Sequence, residues 1–271
     1  MVSEGEAAQG TKTGFSGLDS VLAGMGKSDL IIVGARPGMG KTSFVLNIGT
    51  NVAIQTKKKV CIFSLEMSAE QLVSRIISSE AMVDSYAMRT GKLEQKQWED
   101  LAVAASSLAE CDILIDDTSN ISVSGMKGKL RRVDNLGLVV IDYLQLMQSD
   151  KKSDNRVNEV SDISRNLKIM AKELNVPIVC CAQLSRDNEK RAGSSKRPML
   201  SDLRDSGAIE QDADIVLFLY RDEYYDTEAS AEEGSIAEVI VAKNRHGQQG
   251  TVKMGWIGKY TKFRTITNMQ E

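Results

Sequence analysis

The chain has 271 residues, 42% of them hydrophobic and 26% charged, a composition ordinary for a soluble globular protein and long enough for one large α/β domain. No run of about 18 apolar residues is present to cross a bilayer, and the polar N-terminus has no apolar core of a secretory signal. With 34 basic and 37 acidic residues, net charge speaks weakly against a nucleic-acid partner, although a basic lining on one face is compatible with that sum.

Residues 1–12 read as a flexible leader or linker stub, and 13–271 as a single domain. The first strand is LIIVGA at 30–35, followed by a glycine-rich turn and a helix from Lys41. A strand at 60–66 leads into helices ending near Glu80 and spanning 94–109. A strand at 113–117 precedes the basic stretch 127–132, which reads as a solvated helix face. An apolar strand at 138–146, a helix at 157–174 and a strand at 177–184 follow. Residues 185–198 are polar and aperiodic, hence a loop. Beyond them come a strand at 214–221, an acidic loop at 222–234 and an antiparallel pair, AEVIVAKNR and TVKMGWIG. Strands alternating with helices predict an α/β fold with a mostly parallel sheet flanked by helices. Cys61, Cys111, Cys180 and Cys181 form no CxxC pair and read as reduced core thiols. A single histidine, His246, makes zinc chemistry and a Ser-His-Asp triad poor readings.

Chemistry concentrates at strand ends. Between the first strand and its helix lie Ala35, Arg36, Pro37, Gly38, Met39, Gly40, Lys41, Thr42 and Ser43. The phosphate-binding loop GxxxxGK[ST] needs a backbone that can close around phosphates, a lysine for the β- and γ-phosphates and a hydroxyl for Mg²⁺. Gly40, Lys41 and Thr42 fill its last three places; Ala35 replaces its first glycine. The expected cofactors are therefore ATP and Mg²⁺. Asp142, at the end of LVVI, stands where a second Mg²⁺ ligand belongs, and Glu66 can reach the water attacking the γ-phosphate. Gln183 ends another apolar strand, where an amide can sense the γ-phosphate or serve as an ordinary satisfied strand end. Lys243 and Arg245 point the same way by period-2 alternation, either to reach a phosphate across an interface or to keep a sheet edge solvated.

The segments ARPGMGKT, FSLEMS, VVIDYLQLM, AQLSR, RPMLSDLRDSGAIEQDADIVLFLYRDEYYD and AKNRHG together resemble the RecA-like motor of the DnaB-like replicative DNA helicases, from about Thr11 to Phe263. The resemblance implies an ATP-dependent DNA helicase motor with a RecA-like P-loop core, translocating 5′ to 3′ on single-stranded DNA as a cytoplasmic homo-hexamer. It also implies contacts with a primase and a helicase loader through regions outside this sequence. It makes Glu66 the catalytic glutamate, Gln183 the γ-phosphate sensor and Arg245, with Lys243, the cations completing a neighbour's ATP site. Arg204, Asp205 and Gly207 would lie against DNA phosphates. The competing readings are a recombinase- or clock-type ATPase without processive unwinding, and an ATP-switched assembly protein.

Overall fold

Period-2 alternation divides the first strand, β1 (Leu30–Ala35), between two apolar layers. Ile31, Val33 and Ala35 enter one layer, and Leu30 and Ile32 the other. A strand buried on both faces needs helices on both sides, and the rest of the chain supplies them. The computed structural model describes residues 10–150, 155–185, 196–203, 207–225 and 235–266.

The further strands are β2 (Lys59–Ser64), β3 (Ile113–Asp116), β4 (Leu136–Asp142), β5 (Ile178–Gln183), β6 (Ile215–Tyr220), β7 (Ser235–Asn244), β8 (Gly250–Ile257) and β9 (Lys262–Thr265). They form one sheet in the order β3-β2-β4-β5-β1-β6-β7-β8-β9. From β3 to β6 the neighbours are parallel; β7, β8 and β9 continue antiparallel. The fold is thus the expected RecA-like α/β sheet, with the C-terminal antiparallel pair extended by a third strand.

Helices α1 (Ser16–Leu22), α2 (Lys41–Thr56) and α3 (Ala69–Ala81) bury apolar side chains in the layer that receives Val33. After the outer helices α4 (Ser85–Thr90) and α5 (Gln95–Ala109), α6 (Val123–Leu130), α7 (Arg156–Leu174) and α8 (Gly207–Asp212) cover the opposite face. Sequence periodicity missed α1, α4, α8 and β9 because each is short. α4 buries nothing and is fixed by local chemistry: the Asp84 side chain accepts from the N–H groups of Tyr86 and Ala87, and Gly91 ends the helix in the left-handed region. β9 buries one large side chain, Phe263.

Two expected strands overran their C-terminal ends by two residues or more. β2 stops at Ser64, whose hydroxyl donates to the Met67 carbonyl and accepts the Met67 N–H, turning the chain. β4 stops at Asp142, and Leu144–Leu146 forms one 3₁₀ turn. Within the stretch read as a leader, Thr11 pairs with Met25 in both directions, at 2.7 and 2.8 Å. The basic stretch belongs largely to α6, where Lys127 and Arg131 pair with Glu173 and Lys129 with Asp116. Burial pushes the Cys61 thiol up to about 11 and raises Cys180 and Cys181 as well, as expected for core thiols, whereas Cys111 is half-buried at the margin of the core. Among the described residues, no helix is long and apolar enough to cross a membrane.

A polar knot closes the N-terminal end of β1. The buried Asp214 carboxylate accepts from the Leu30 N–H at 2.8 Å and from Lys168 Nζ at 2.5 Å, while Lys168 also donates to the Ser28 carbonyl at 2.8 Å. Asp29 accepts from the Gly26 N–H at 2.7 Å, and its other oxygen lies 3.1 Å from His246 Nε2. Removing one partner of a buried pair leaves an uncompensated charge, costing about 3–5 kcal/mol. Lys168→Met is therefore expected to lower unfolding stability by about 3 kcal/mol, read from the denaturant midpoint. An unchanged midpoint would show that water reaches Asp214.

Candidate nucleotide site

The site gathers at the C-terminal ends of the parallel strands, where open α/β sheets form their crevice. Two glycines make the loop after β1 possible. Gly34 approaches Phe218 so closely that a Cβ would lie 2.8 Å from its ring. Gly40 holds φ +91°, which an L side chain rarely adopts, and a Cβ there would meet Phe263 at 3.1 Å. Gly40 is also the N-cap of α2 and offers no side chain to the helix. The first-turn N–H groups of a helix have no intrahelical acceptor, so this end is open to an anion.

A cleft of about 460 Å³ lies over that helix end. Its walls include Arg36, Pro37, Gly38, Gly40, Lys41, Thr42 and Ser43 from the loop, with Glu66 and Gln183 opposite. Ala35 and Met39 are buried beneath the loop rather than lining it. The arrangement brings together the nucleotide-site residues read from the sequence, apart from Lys243 and Arg245.

Asp142 is buried beside the cleft. Thr42 Oγ1 donates to its Oδ2 at 2.5 Å, and Lys41 Nζ lies 4.0 Å from its Oδ1. That Oδ1 has no hydrogen-bond partner although solvent does not reach it. An unsatisfied buried acceptor costs about 1–3 kcal/mol, more when charged, and a cation beside it would offset the cost. The donor set of a carboxylate and a hydroxyl, all oxygen, suits Mg²⁺. Lys41 Nζ also lies over the Tyr143 ring, 4.4 Å from its centre. The Tyr143 hydroxyl is held above its usual pKa by burial first, then by the negative charges of Glu66 and Asp142.

Glu66 is exposed on the turn beyond β2 rather than on the strand. The Leu65 N–H donates to the Asp142 carbonyl at 2.8 Å, tying that turn to the end of β4. Gln183 closes β5 with its side chain exposed at the cleft.

Lys243 and Arg245 stand elsewhere. Lys243 pairs with Val216 near the start of β6, whereas the phosphate loop lies at the far end of the parallel strands. Lys243 Nζ donates to the carbonyls of Glu210, at 2.5 Å, and Ala213, at 2.7 Å. Arg245 donates to the Gln211 carbonyl. Both cations thus share one face, as the alternation predicts, and meet the C-terminal end of α8; β7 lies between β6 and β8, so they do not guard a sheet edge. Burial, then the neighbouring Arg245, depresses the Lys243 pKa. Gly207 is the exposed first residue of α8, while Arg204 and Asp205 lie outside the described residues.

Sequence reasoning missed the rim. Arg75 of α3, Met67, Trp256 and Thr261 line the cleft, and the Arg221 guanidinium lies 5.5 Å from the centre of the Trp256 ring. Met67 follows Glu66 within FSLEMS, but Arg75, Trp256 and Thr261 belong to no motif, and α3 and the C-terminal strands bring them to the loop only after folding.

The sequence matches the family model described as "DnaB-like helicase C terminal domain" over residues 10–265. It is 52% identical over 258 residues to the replicative DNA helicase DnaB of Geobacillus stearothermophilus, covering 94% of this chain and 56% of that protein. The replicative DNA helicase DnaC of Bacillus subtilis (strain 168) is also 52% identical, with the same coverages. The chain therefore spans about half the length of these curated relatives. Among solved structures, the ATPase domain of G40P superposes with a TM-score of 0.90 at 38% identity, covering 97% of this chain and 95% of that one. A DnaB-like replicative helicase, described with its interactions with primase, gives 0.89 at 38% identity, covering 96% of this chain and 64% of that one. The RadB recombinase, at 0.58 and 19% identity, shares the fold alone.

Proposed function

This chain belongs to the DnaB-like helicase C-terminal domain family, and on that premise we propose that it is the ATP-driven motor of a replicative DNA helicase. The observation that carries the reading is the single cleft in which Lys41, Thr42, Glu66 and Gln183 meet beside the half-satisfied carboxylate of Asp142. The named relatives are helicases at 38–52% identity, whereas the likeness to a recombinase stops at the fold.

ATP binds with its phosphates on the loop 35–43 and the open end of α2. Lys41 draws charge from the β- and γ-phosphates, and Thr42 and Asp142 would hold Mg²⁺. Bound there, the ion would neutralise phosphate charge and help orient the transferring group. Glu66 orients the attacking water and takes its proton, while Gln183 donates to the γ-phosphate. Lys243 and Arg245 lie too far along the sheet to serve their own cleft. In a ring they complete the neighbouring subunit's site, stabilising charge on the transferring phosphoryl group. Arg204 and Asp205 precede α8 and Gly207 begins it, the other end of that helix being held by those two cations, and all three contact single-stranded DNA through its phosphates. Such contacts carry no base information, so binding is sequence-independent and weakens with salt. The working assembly is a cytoplasmic homo-hexamer moving 5′ to 3′, serviced by a loader and a primase.

Steady-state ATP hydrolysis, measured against protein concentration with and without single-stranded DNA, tests the reading. Specific turnover should rise with concentration as shared sites form, and DNA should stimulate it. Turnover indifferent to both would overturn the motor reading and leave an isolated ATPase.

A further inference from the structure

Gln145 stands in the 3₁₀ turn Leu144–Leu146 that follows β4. Its side-chain amide bonds twice to the backbone of Gln183: Nε2 donates to the Gln183 carbonyl at 3.1 Å, and Oε1 accepts the Gln183 N–H at 3.1 Å. A primary amide offers the same donor and acceptor as a peptide group. Here it stands in for a missing strand. The β4–β5 ladder makes its last pair between Ile141 and Cys180, and Gln183 lies beyond it, paired on its other side with Ala35 of the phosphate loop. The bond to Ala35 on the other side comes from the Leu184 N–H, at 3.3 Å, so the N–H and carbonyl of Gln183 itself are both taken up by Gln145.

The turn is anchored in its own right. Arg156, the first residue of α7, donates through Nη2 to the Gln145 carbonyl at 2.6 Å and through Nη1 to Glu159 at 2.7 Å. Gln183 is thereby connected to the start of a long helix on the face of the sheet away from α2.

We propose that Gln145 is a positioning residue for ATP hydrolysis: it clamps the backbone of Gln183 so that the exposed side chain is held toward the γ-phosphate. Through Arg156 it passes displacements of Gln183 to the start of α7. The inference rests on the proposed γ-phosphate contact of Gln183. Glutamine is the side chain that fits. Glutamate keeps the shape but loses the donor and sets a carboxylate against the Gln183 carbonyl. Asparagine is one methylene short, and leucine fills the volume with no bond.

The test compares steady-state ATP hydrolysis of the full chain, with single-stranded DNA present, for wild type, Gln145→Leu, Gln145→Glu, Gln183→Ala and the Leu/Ala double variant. Gln145→Leu is expected to lower kcat about tenfold while KM stays within about twofold, because a group contacted in the transition state shows in kcat. The double variant should be no slower than Gln183→Ala, since a residue acting through another is non-additive with it. Hydrogen exchange of the peptide containing Gln183 should accelerate in Gln145→Leu, with the melting temperature close to wild type. Should that variant fail to fold, Gln145→Glu carries the same expectations. Wild-type kcat in the clamp variants, losses that multiply in the double variant, or unchanged exchange at Gln183 would overturn the proposal. These outcomes are distinct from failure of the motor reading, in which wild type itself shows no DNA-stimulated turnover.

Discussion

Glu66→Gln is expected to cut ATP turnover by about 10²–10⁴-fold while nucleotide still binds, because removing a general base removes transition-state stabilisation without removing contacts to the bound phosphates. The substitution preserves the shape of an exposed side chain on the cleft wall. It leaves untouched the backbone bond from Leu65 to Asp142, so the turn carrying residue 66 keeps its place. What it removes is the capacity to accept a proton. Single-turnover hydrolysis alongside titration with a fluorescent ATP analogue separates the two effects. Near-normal turnover would mean that the proton leaves by another route, and lost binding would mean that Glu66 shapes the cleft rather than the reaction.

Arg245→Ala should be as severe, about 10³–10⁵-fold in turnover, and the deficit should be repairable by a second, differently broken subunit. At about 3.3 Å per residue, the six residues of β6 separate the two ends of the sheet by roughly 20 Å, beyond the reach of an arginine. Within its own subunit Arg245 bonds the Gln211 carbonyl and lies 3.9 Å from the buried Asp214 carboxylate, but its side chain is 47% exposed and Lys168 stays on Asp214 at 2.5 Å, so truncation should cost less stability than loss of Lys168. Mixing Arg245→Ala with Glu66→Gln subunits creates interfaces where an intact Glu66 faces an intact Arg245. On the proposed shared-site architecture such mixtures hydrolyse ATP although neither variant does alone. A mixture as inactive as its components would sink the trans assignment.

The strands of the parallel sheet were legible because burial on both faces writes them as apolar runs: LIIVGA is β1 residue for residue. The phosphate loop was legible because its spacing is mechanical. Where side chains fold back onto backbone, the pattern is silent. The Ser64 hydroxyl ends β2 before Glu66, and no periodicity records a bond from Ser64 to Met67. Gln145 reads as one polar residue within an apolar stretch, and its partner Gln183 is distant in sequence. Arg197 makes a bidentate pair with Glu238 at 2.8 Å to both oxygens, which β7 alone could bring to it. Pairings of this kind depend on sheet order, which composition does not carry.

Strand β9 carries an unexpected weight. Phe263 packs edge-on to Phe44 of α2, 5.2 Å between ring centres, and its N–H donates to Asn47 Oδ1 at 2.8 Å. Its ring also sits beneath Gly40. Lys262 adds a bond to the Ser79 carbonyl at 2.9 Å. A nonsense codon at position 262 would spare every motif residue and most of the sheet, yet it would take away the floor on which the phosphate loop rests. Such an allele would be scored as a lesion in nucleotide binding, and an expression clone trimmed at the same point would inherit the defect.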